Sequence, residues 1–432
     1  LFPVLAAGAQ TARPALTQTD ADEYTRYELL APETASFRIT YDVTATTAGA
    51  RRYWNGIRRG SDVSDIAVID LASGAPLAWK LVDAATARSS GYPEAGEEGQ
   101  YIQIELVRPV PAGGEARLRI RKTYKDAKSY FAEADRIVFD RSLSIPRNSV
   151  VLPPGYELVG VSYPSQVRTL PDGRVAVSFI NHGSVGVPYR VVGRKLTAST
   201  AAPAPAATPP RPVVPATSSR PAPMASRGAA SSTPAAGARL NFAFSERAFQ
   251  DREIVYYLLA PETHSFRLYH DYTETREGAD RYLNVVRAGS KASDPSATNL
   301  DTGEALKVET LNGKEARARG IRADEDAFDD TSEVVVIWFP PVRRGQAVRL
   351  RIWETYTDPG RYVLTGAGEN EELVWDRAFG RPRNAVVLPA GWRVTANSIP
   401  ATVSLTDDGR IRLDYLNDRP DDIAVFLRAR RR

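Results

Sequence analysis

The feature that most constrains this chain is that it contains a long stretch of itself twice. Leu29-Leu30-Ala31-Pro32-Glu33-Thr34-Ala35-Ser36-Phe37-Arg38 returns as Leu258-Leu259-Ala260-Pro261-Glu262-Thr263-His264-Ser265-Phe266-Arg267. From Tyr27 to Leu77 the register holds without a gap at a spacing of 229, with 26 of 51 positions identical. Later, Asp140-Arg141, Pro146-Arg147-Asn148 and Val150-Val151-Leu152-Pro153 return as Asp376-Arg377, Pro382-Arg383-Asn384 and Val386-Val387-Leu388-Pro389. A unit this long is no solenoid repeat, so the chain reads as two whole domains in tandem, 22–195 and 246–430.

Between them, 196–245 is a run of Ala, Pro, Ser and Thr that cannot build a core and predicts an extended linker. Its Ala/Pro-rich part, Leu196 to about Ala238, would at ~3.1 Å per residue reach up to about 130 Å, a geometry suited to bivalent engagement. Residues 1–9 are apolar and end in Ala7-Gly8-Ala9, which resembles a signal-peptidase site. They read as the remainder of a signal peptide, 10–21 as a disordered start and 431–432 as a basic tail. No stretch approaches the ~18 apolar residues of a membrane-spanning helix. The expected setting is therefore periplasmic or extracellular.

Within each copy the pattern is β. Phe37, Ile39, Tyr41 and Val43 alternate with Arg38, Thr40, Asp42 and Thr44, and Leu118 and Ile120 alternate with Arg117, Arg119 and Arg121. Ser73-Gly74, Asp172-Gly173, Thr302-Gly303 and Asp408-Gly409 supply turn signals between apolar runs. The predicted fold is all-β, two tandem antiparallel β-sandwich-like domains joined by an Ala/Pro-rich linker.

Composition removes much chemistry. With no Cys, thiolate metal sites, disulfides and cysteine nucleophiles are excluded. Three His remain, and His264 and His270, read as sharing one strand, would lie about 20 Å apart. They are taken as structural, and no cofactor is expected. The net charge of +4 invites a nucleic-acid reading, but Arg211, Arg220, Arg227 and Arg239 of the linker account for it. Without them 52 basic residues face 52 acidic ones, so no nucleic-acid partner is expected. The acidic run Asp324, Glu325, Asp326, Asp329, Asp330 and Glu333 has the oxygen-rich character of a calcium loop, but not the spacing of an EF-hand.

What both copies share is a set of polar residues. Arg52, Tyr53, Asn55, Arg58 and Asp65 recur as Arg281, Tyr282, Asn284, Arg287 and Asp294, while Arg141 and Arg147 recur as Arg377 and Arg383. Asp140-Arg141 and Arg147-Asn148 are placed on a loop leading into the Val-Val-Leu-Pro strand. Guanidinium forks and tyrosine rings suit glycan, carboxylate or peptide recognition. The same residues also read as Asp–Arg pairs bracing irregular loops.

Ile104-x-Leu106, Pro109-Val110-Pro111, Gly113-Gly114, Leu118-x-Ile120, Tyr124 and Val151-Leu152-Pro153-x-Gly155 together resemble the N-terminal β-domain of gluzincin aminopeptidases. The chain is also similar to exported bacterial tandem β-domain proteins with a Leu-Leu-x-Pro-Glu-Thr strand. The peptidase hallmarks His-Glu-x-x-His and Gly-x-Met-Glu-Asn are absent, and the only Met is Met224 in the linker. The resemblance therefore implies a non-catalytic β-module. The function expected is an exported binding protein whose two modules recognise protein, peptide or envelope glycan. The alternatives are a hydrolase or lyase using carboxylate and Arg/Tyr chemistry, and a structural or secretion-associated envelope component.

Overall fold

The computed structural model describes residues 17–196, 253–286, 289–321, 328–419 and 421–432. The segment 1–9, the linker beyond Leu196, Arg287 and Asp324 to Asp326 lie outside them.

The described chain is all-β apart from short helical turns. In the first repeat the strands Asp62–Asp70, Ala116–Lys125, Ser36–Ala45 and Asp20–Leu29 lie side by side, each antiparallel to the next. Arg147–Val151 joins Asp20–Leu29 in parallel, and Val175–Ile180 continues the sheet. A second layer runs Tyr130–Glu133, Arg136–Leu143, Val187–Lys195. The Tyr156–Thr169 strand belongs to both layers, pairing first with Val187–Lys195 and then with Val175–Ile180. A small sheet of Arg52–Ile57, Gln100–Glu105 and Trp79–Asp83 packs beside them. The second repeat follows the same pairing order, from Lys291–Asn299, Val348–Thr357, Ser265–Glu274 and Glu253–Leu258 to the parallel strand Arg383–Val387.

Period-two alternation accounts for this. Phe37, Ile39, Tyr41 and Val43 are buried while Arg38 is exposed, because alternate side chains of a strand project to opposite faces. Gly173 and Gly409 take the left-handed backbone that the Asp-Gly turns require. Asp65 and Asp294 also have positive φ, and each sits where its strand slips register against its neighbour. These two repeated aspartates therefore mark β-bulges, since Asp tolerates that conformation better than most residues.

Several expectations are corrected. Asp140 and Arg141 lie within the Arg136–Leu143 strand, and Arg147 and Asn148 open the Arg147–Val151 strand, so neither pair is on a loop. His264 is not on a strand with His270 but ends the short helical turn Pro261–Thr263 in a left-handed conformation, its Nδ1 2.8 Å from the Tyr362 carbonyl. The C-terminal arginines are held rather than trailing. Arg431 ends the strand Ile423–Arg431, and Arg432 Nε donates to Glu157 of the first repeat at 2.9 Å. The repeats are also not held apart, because the Tyr156–Thr169 strand pairs edge to edge with Trp392–Asn397 and Ala401–Leu405.

One ion pair recurs at the centre of each repeat. Arg141 Nη1 meets Asp126 Oδ2 at 3.2 Å, and Arg377 Nη1 meets Asp358 Oδ2 at 3.0 Å, with all four side chains buried. Each guanidinium sits among aromatic rings, 5.3 Å from Phe37 for Arg141 and 4.9 Å from Phe266 for Arg377. Truncating one partner of a buried pair strands the other charge. Arg141→Ala is expected to destabilise the protein by about 3–5 kcal/mol, measured as a lower urea midpoint. A change below 1 kcal/mol would show that the cage does not depend on the charge.

Candidate functional site

The Ala116–Lys125 strand turns Leu118, Ile120, Lys122 and Tyr124 inward. A lysine thus occupies a core position, and its Nζ donates to Asn55 Oδ1 at 2.5 Å from the neighbouring small sheet. Arg58 follows that sheet's first strand, where its backbone N–H donates to Tyr124 Oη at 3.2 Å and its Nη1 lies 3.5 Å from the Ser142 carbonyl. Arg141 completes the group from the opposite layer. Together Asn55, Arg58, Lys122, Tyr124 and Arg141 line a cavity of about 390 Å³, with Tyr27 and Tyr41 among its walls.

Charge is unbalanced here. Three cations line the cavity and none of its lining residues is acidic. Two carboxylates stand behind the lining: Glu23 accepts from Tyr41 Oη at 2.5 Å, and Asp126 takes Arg141 together with Ser61 at 3.0 Å and Ser129 at 2.8 Å. Burial alone would raise the Asp126 carboxyl, but those hydroxyls and Arg141 outweigh it and hold the group below its ordinary range. Lys122 has no carboxylate partner among its described contacts. Burial, and then the charge of Arg141, push its amine down to about 7.

At the equivalent position of the second repeat the sign is reversed. Glu354 replaces Lys122, is 2% exposed, and accepts from Asn284 Nδ2 at 2.6 Å through one oxygen and 2.9 Å through the other. Burial raises its carboxyl to about 7, against the opposing hydrogen bond from Asn284 and with help from Glu333. Asn55 presents its oxygen to an amine and Asn284 its nitrogen to a carboxylate.

The remaining sequence candidates go elsewhere. Arg52 pairs with Glu105 at 2.8 Å on the surface, and Tyr53 is buried with its Oη 3.2 Å from Asp20. Burial lifts that carboxyl to about 6, against the Tyr53 hydrogen bond. Arg52 and Tyr53 line a separate cavity with Trp54 and Tyr92, also of about 390 Å³. Arg147 ties down the first strand through the carbonyls of Asp22, at 2.5 Å, and Glu23, at 3.3 Å. Arg281 pairs with Asp280 at 2.7 Å and lies 5.0 Å from the Trp338 ring. Tyr282 accepts from Arg381 at 3.1 Å, and Arg383 stands in register with Glu253. Among the described residues no cluster suited to a metal ion is found, and the calcium candidate lies partly outside them. Lys122 and Glu354 were missed by the sequence reading, although continuing the alternation of Leu118 and Ile120 by two residues finds them.

No family model matches this chain, and no curated protein matches it. Among solved structures it is similar to an M1 zinc metallopeptidase from Deinococcus radiodurans, at 14% identity and a TM-score of 0.26 over 40% of this chain and 41% of that one. It is similar to an aminopeptidase N family protein from Idiomarina loihiensis at 12% identity and TM-score 0.26, covering 40% of this chain and 29% of that one. Native yeast LTA4 hydrolase gives 8% identity and TM-score 0.28, covering 44% and 32%. The chain spans less than half the length of each of these structures.

The two buried titrating groups predict opposite pH effects. The unfolded chain carries the extra proton on Lys122 between pH about 7 and 10.5, so this residue makes stability rise with pH across that window. The folded chain carries the extra proton on Glu354 between 4.5 and about 7, so that residue makes stability fall as pH rises there. Urea unfolding across pH should show Lys122→Met flattening only the upper window and Glu354→Gln only the lower. Superimposable curves for wild type and either variant would remove the assignment for that residue.

Proposed function

We propose that this chain is an exported, non-catalytic binding protein, and that its first repeat takes an acidic group of a protein, peptide or envelope glycan into the Lys122 cavity. The observation that carries this reading is the set of three basic side chains around one space whose lining holds no carboxylate, Asp126 being bound to Arg141 and Glu23 to the Tyr41 hydroxyl. A carboxylate entering between Arg58 and Lys122 would relieve the like-charge crowding and supply the counter-ion that the amine lacks. Arg58 is the residue best suited to meet it, since Arg141 is already engaged by Asp126. Tyr27, Tyr41 and Tyr124 give the walls the amphipathic character common in recognition sites. Export is supported by Ala7-Gly8-Ala9, which resembles a signal-peptidase site.

Binding an anion stabilises the ammonium form of Lys122, so the site should take up a proton as it fills at pH 7.5. Affinity should then fall as pH rises above about 7. Calorimetric titration with N-acetyl-L-glutamate and with D-glucuronate separates a peptide-like from a glycan-like source of the same carboxylate. Arg58→Ala is expected to weaken the preferred probe about tenfold, as for a lost charge-assisted hydrogen bond. Lys122→Met should abolish proton uptake. Absence of millimolar binding by both probes, or an unchanged pH slope in Lys122→Met, would overturn the reading.

A further inference from the structure

The contact between the repeats has a symmetry that its side chains break. Beyond Val150 the two copies align at a spacing of 236, so Pro164 of the Tyr156–Thr169 strand corresponds to Pro400, between Trp392–Asn397 and Ala401–Leu405. In the docked pair Val161 lies opposite Val403, the counterpart of Val167. Arg168 lies opposite Ala396, the counterpart of Gly160, and Ser165 opposite Ala401, its own counterpart. A strand therefore pairs antiparallel with its own copy about a centre near Ser165, which is the arrangement of an isologous interface. The backbone alone would allow first with first, second with second, or first with second.

The side chains do not treat these pairings alike. Glu157 of the first repeat corresponds to Arg393 of the second, and Val161 to Asn397. Glu157 is 1% exposed and accepts from Arg194 of its own repeat at 3.0 Å and from Arg432 of the other at 2.9 Å. Its charge also reaches Arg393, where it opposes the depression of the guanidinium by burial. Asn397 takes the Val167 N–H at 2.5 Å and donates to the Ser165 carbonyl at 3.3 Å, satisfying edge groups of the first repeat that a valine could not. Pairing first with first would put a second Glu157 in place of Arg393, Leu196 in place of Arg432 and Val161 in place of Asn397. Pairing second with second would bring Arg393 and Arg432 towards their own copies.

We propose that this edge is a heterotypic recognition surface. The first repeat accepts the edge of a second repeat and rejects a copy of itself, with Glu157, Arg393 and Arg432 as the specificity-determining residues. Selection rests on like-charge repulsion in the wrong pairs as much as on attraction in the right one.

The test uses the full chain with a protease site introduced in the 196–245 linker, cut after purification and followed by light scattering across protein and salt concentration. Cut wild type is expected to remain a one-to-one pair of unlike halves. Arg432→Glu should weaken that pair at least tenfold at low salt, and added salt should narrow the gap to wild type by screening the repulsion this substitution creates against Glu157. Asn397→Val, which places the first repeat's residue in the second, should weaken it without changing the salt dependence. Circular dichroism of each uncut variant separates loss of pairing from loss of fold. Like-with-like dimers from wild type, complete separation of its halves at micromolar concentration, or an unaltered pair in a folded Arg432→Glu protein would each overturn the proposal.

Discussion

Each repeat is organised around a guanidinium placed where a hydrophobic side chain would ordinarily go. Arg141 and Arg377 lie in the core, each tied to one aspartate and surrounded by aromatic rings. That choice constrains the rest. A buried guanidinium requires its carboxylate to arrive with correct geometry, which fixes the turns at Asp126 and Asp358 against the sheet. Those turns are themselves tied back by Ser61 and Ser290, the serines of the repeated Gly-Ser pair. Several repeated polar residues are thus explained without a ligand. The same charge then bears on what lies next to it. In the first repeat it helps push Lys122 towards its neutral form, so the candidate site depends on the cage that braces the fold.

The strands were legible because a half-buried sheet imposes a period of two, and nearly every inward position of the Ser36–Ala45 and Ala116–Lys125 strands obeys it. The pairing of charges was not legible, because sequence neighbours are poor partners in a strand. Asp140 and Arg141 look like a pair in the sequence, yet adjacent side chains project to opposite faces. Asp140 accordingly meets Arg190 at 3.0 Å on the outer face, while Arg141 reaches inward to Asp126. Of the residues singled out from the repetition, Asn55, Arg58 and Arg141 converge on one cavity, while Asp65 and Asp294 serve the backbone at bulges. Lys122 escaped because it differs between the copies, and repetition draws attention only to what stays the same.

That difference is informative. Where the copies diverge at buried charged positions, the change comes with a partner able to accommodate it. Asn55 and Asn284 need no replacement, since an amide can accept from an amine or donate to a carboxylate. The scaffold therefore holds an amine in one repeat and an acid in the other beside the same neighbour.

The outer edge shows the same rule with two positions changing together. Arg194 and Arg430 are equivalent, and each lies on a strand flanked by two others. In the first repeat the carboxylate for this arginine comes from one side, Glu157, and its counterpart on the other side is Arg136. In the second repeat the carboxylate comes from the opposite side, Glu372 at 2.9 Å, and Arg393 stands in register where Glu157 stood. The guanidinium keeps one acid in each case, so both halves remain internally balanced. The acid of the first repeat lies on the docking strand and that of the second lies away from it. Moving one carboxylate across a strand therefore leaves folding satisfied while giving the two docking edges opposite charge, which is how a pairing that is symmetric in its backbone acquires a preferred partner.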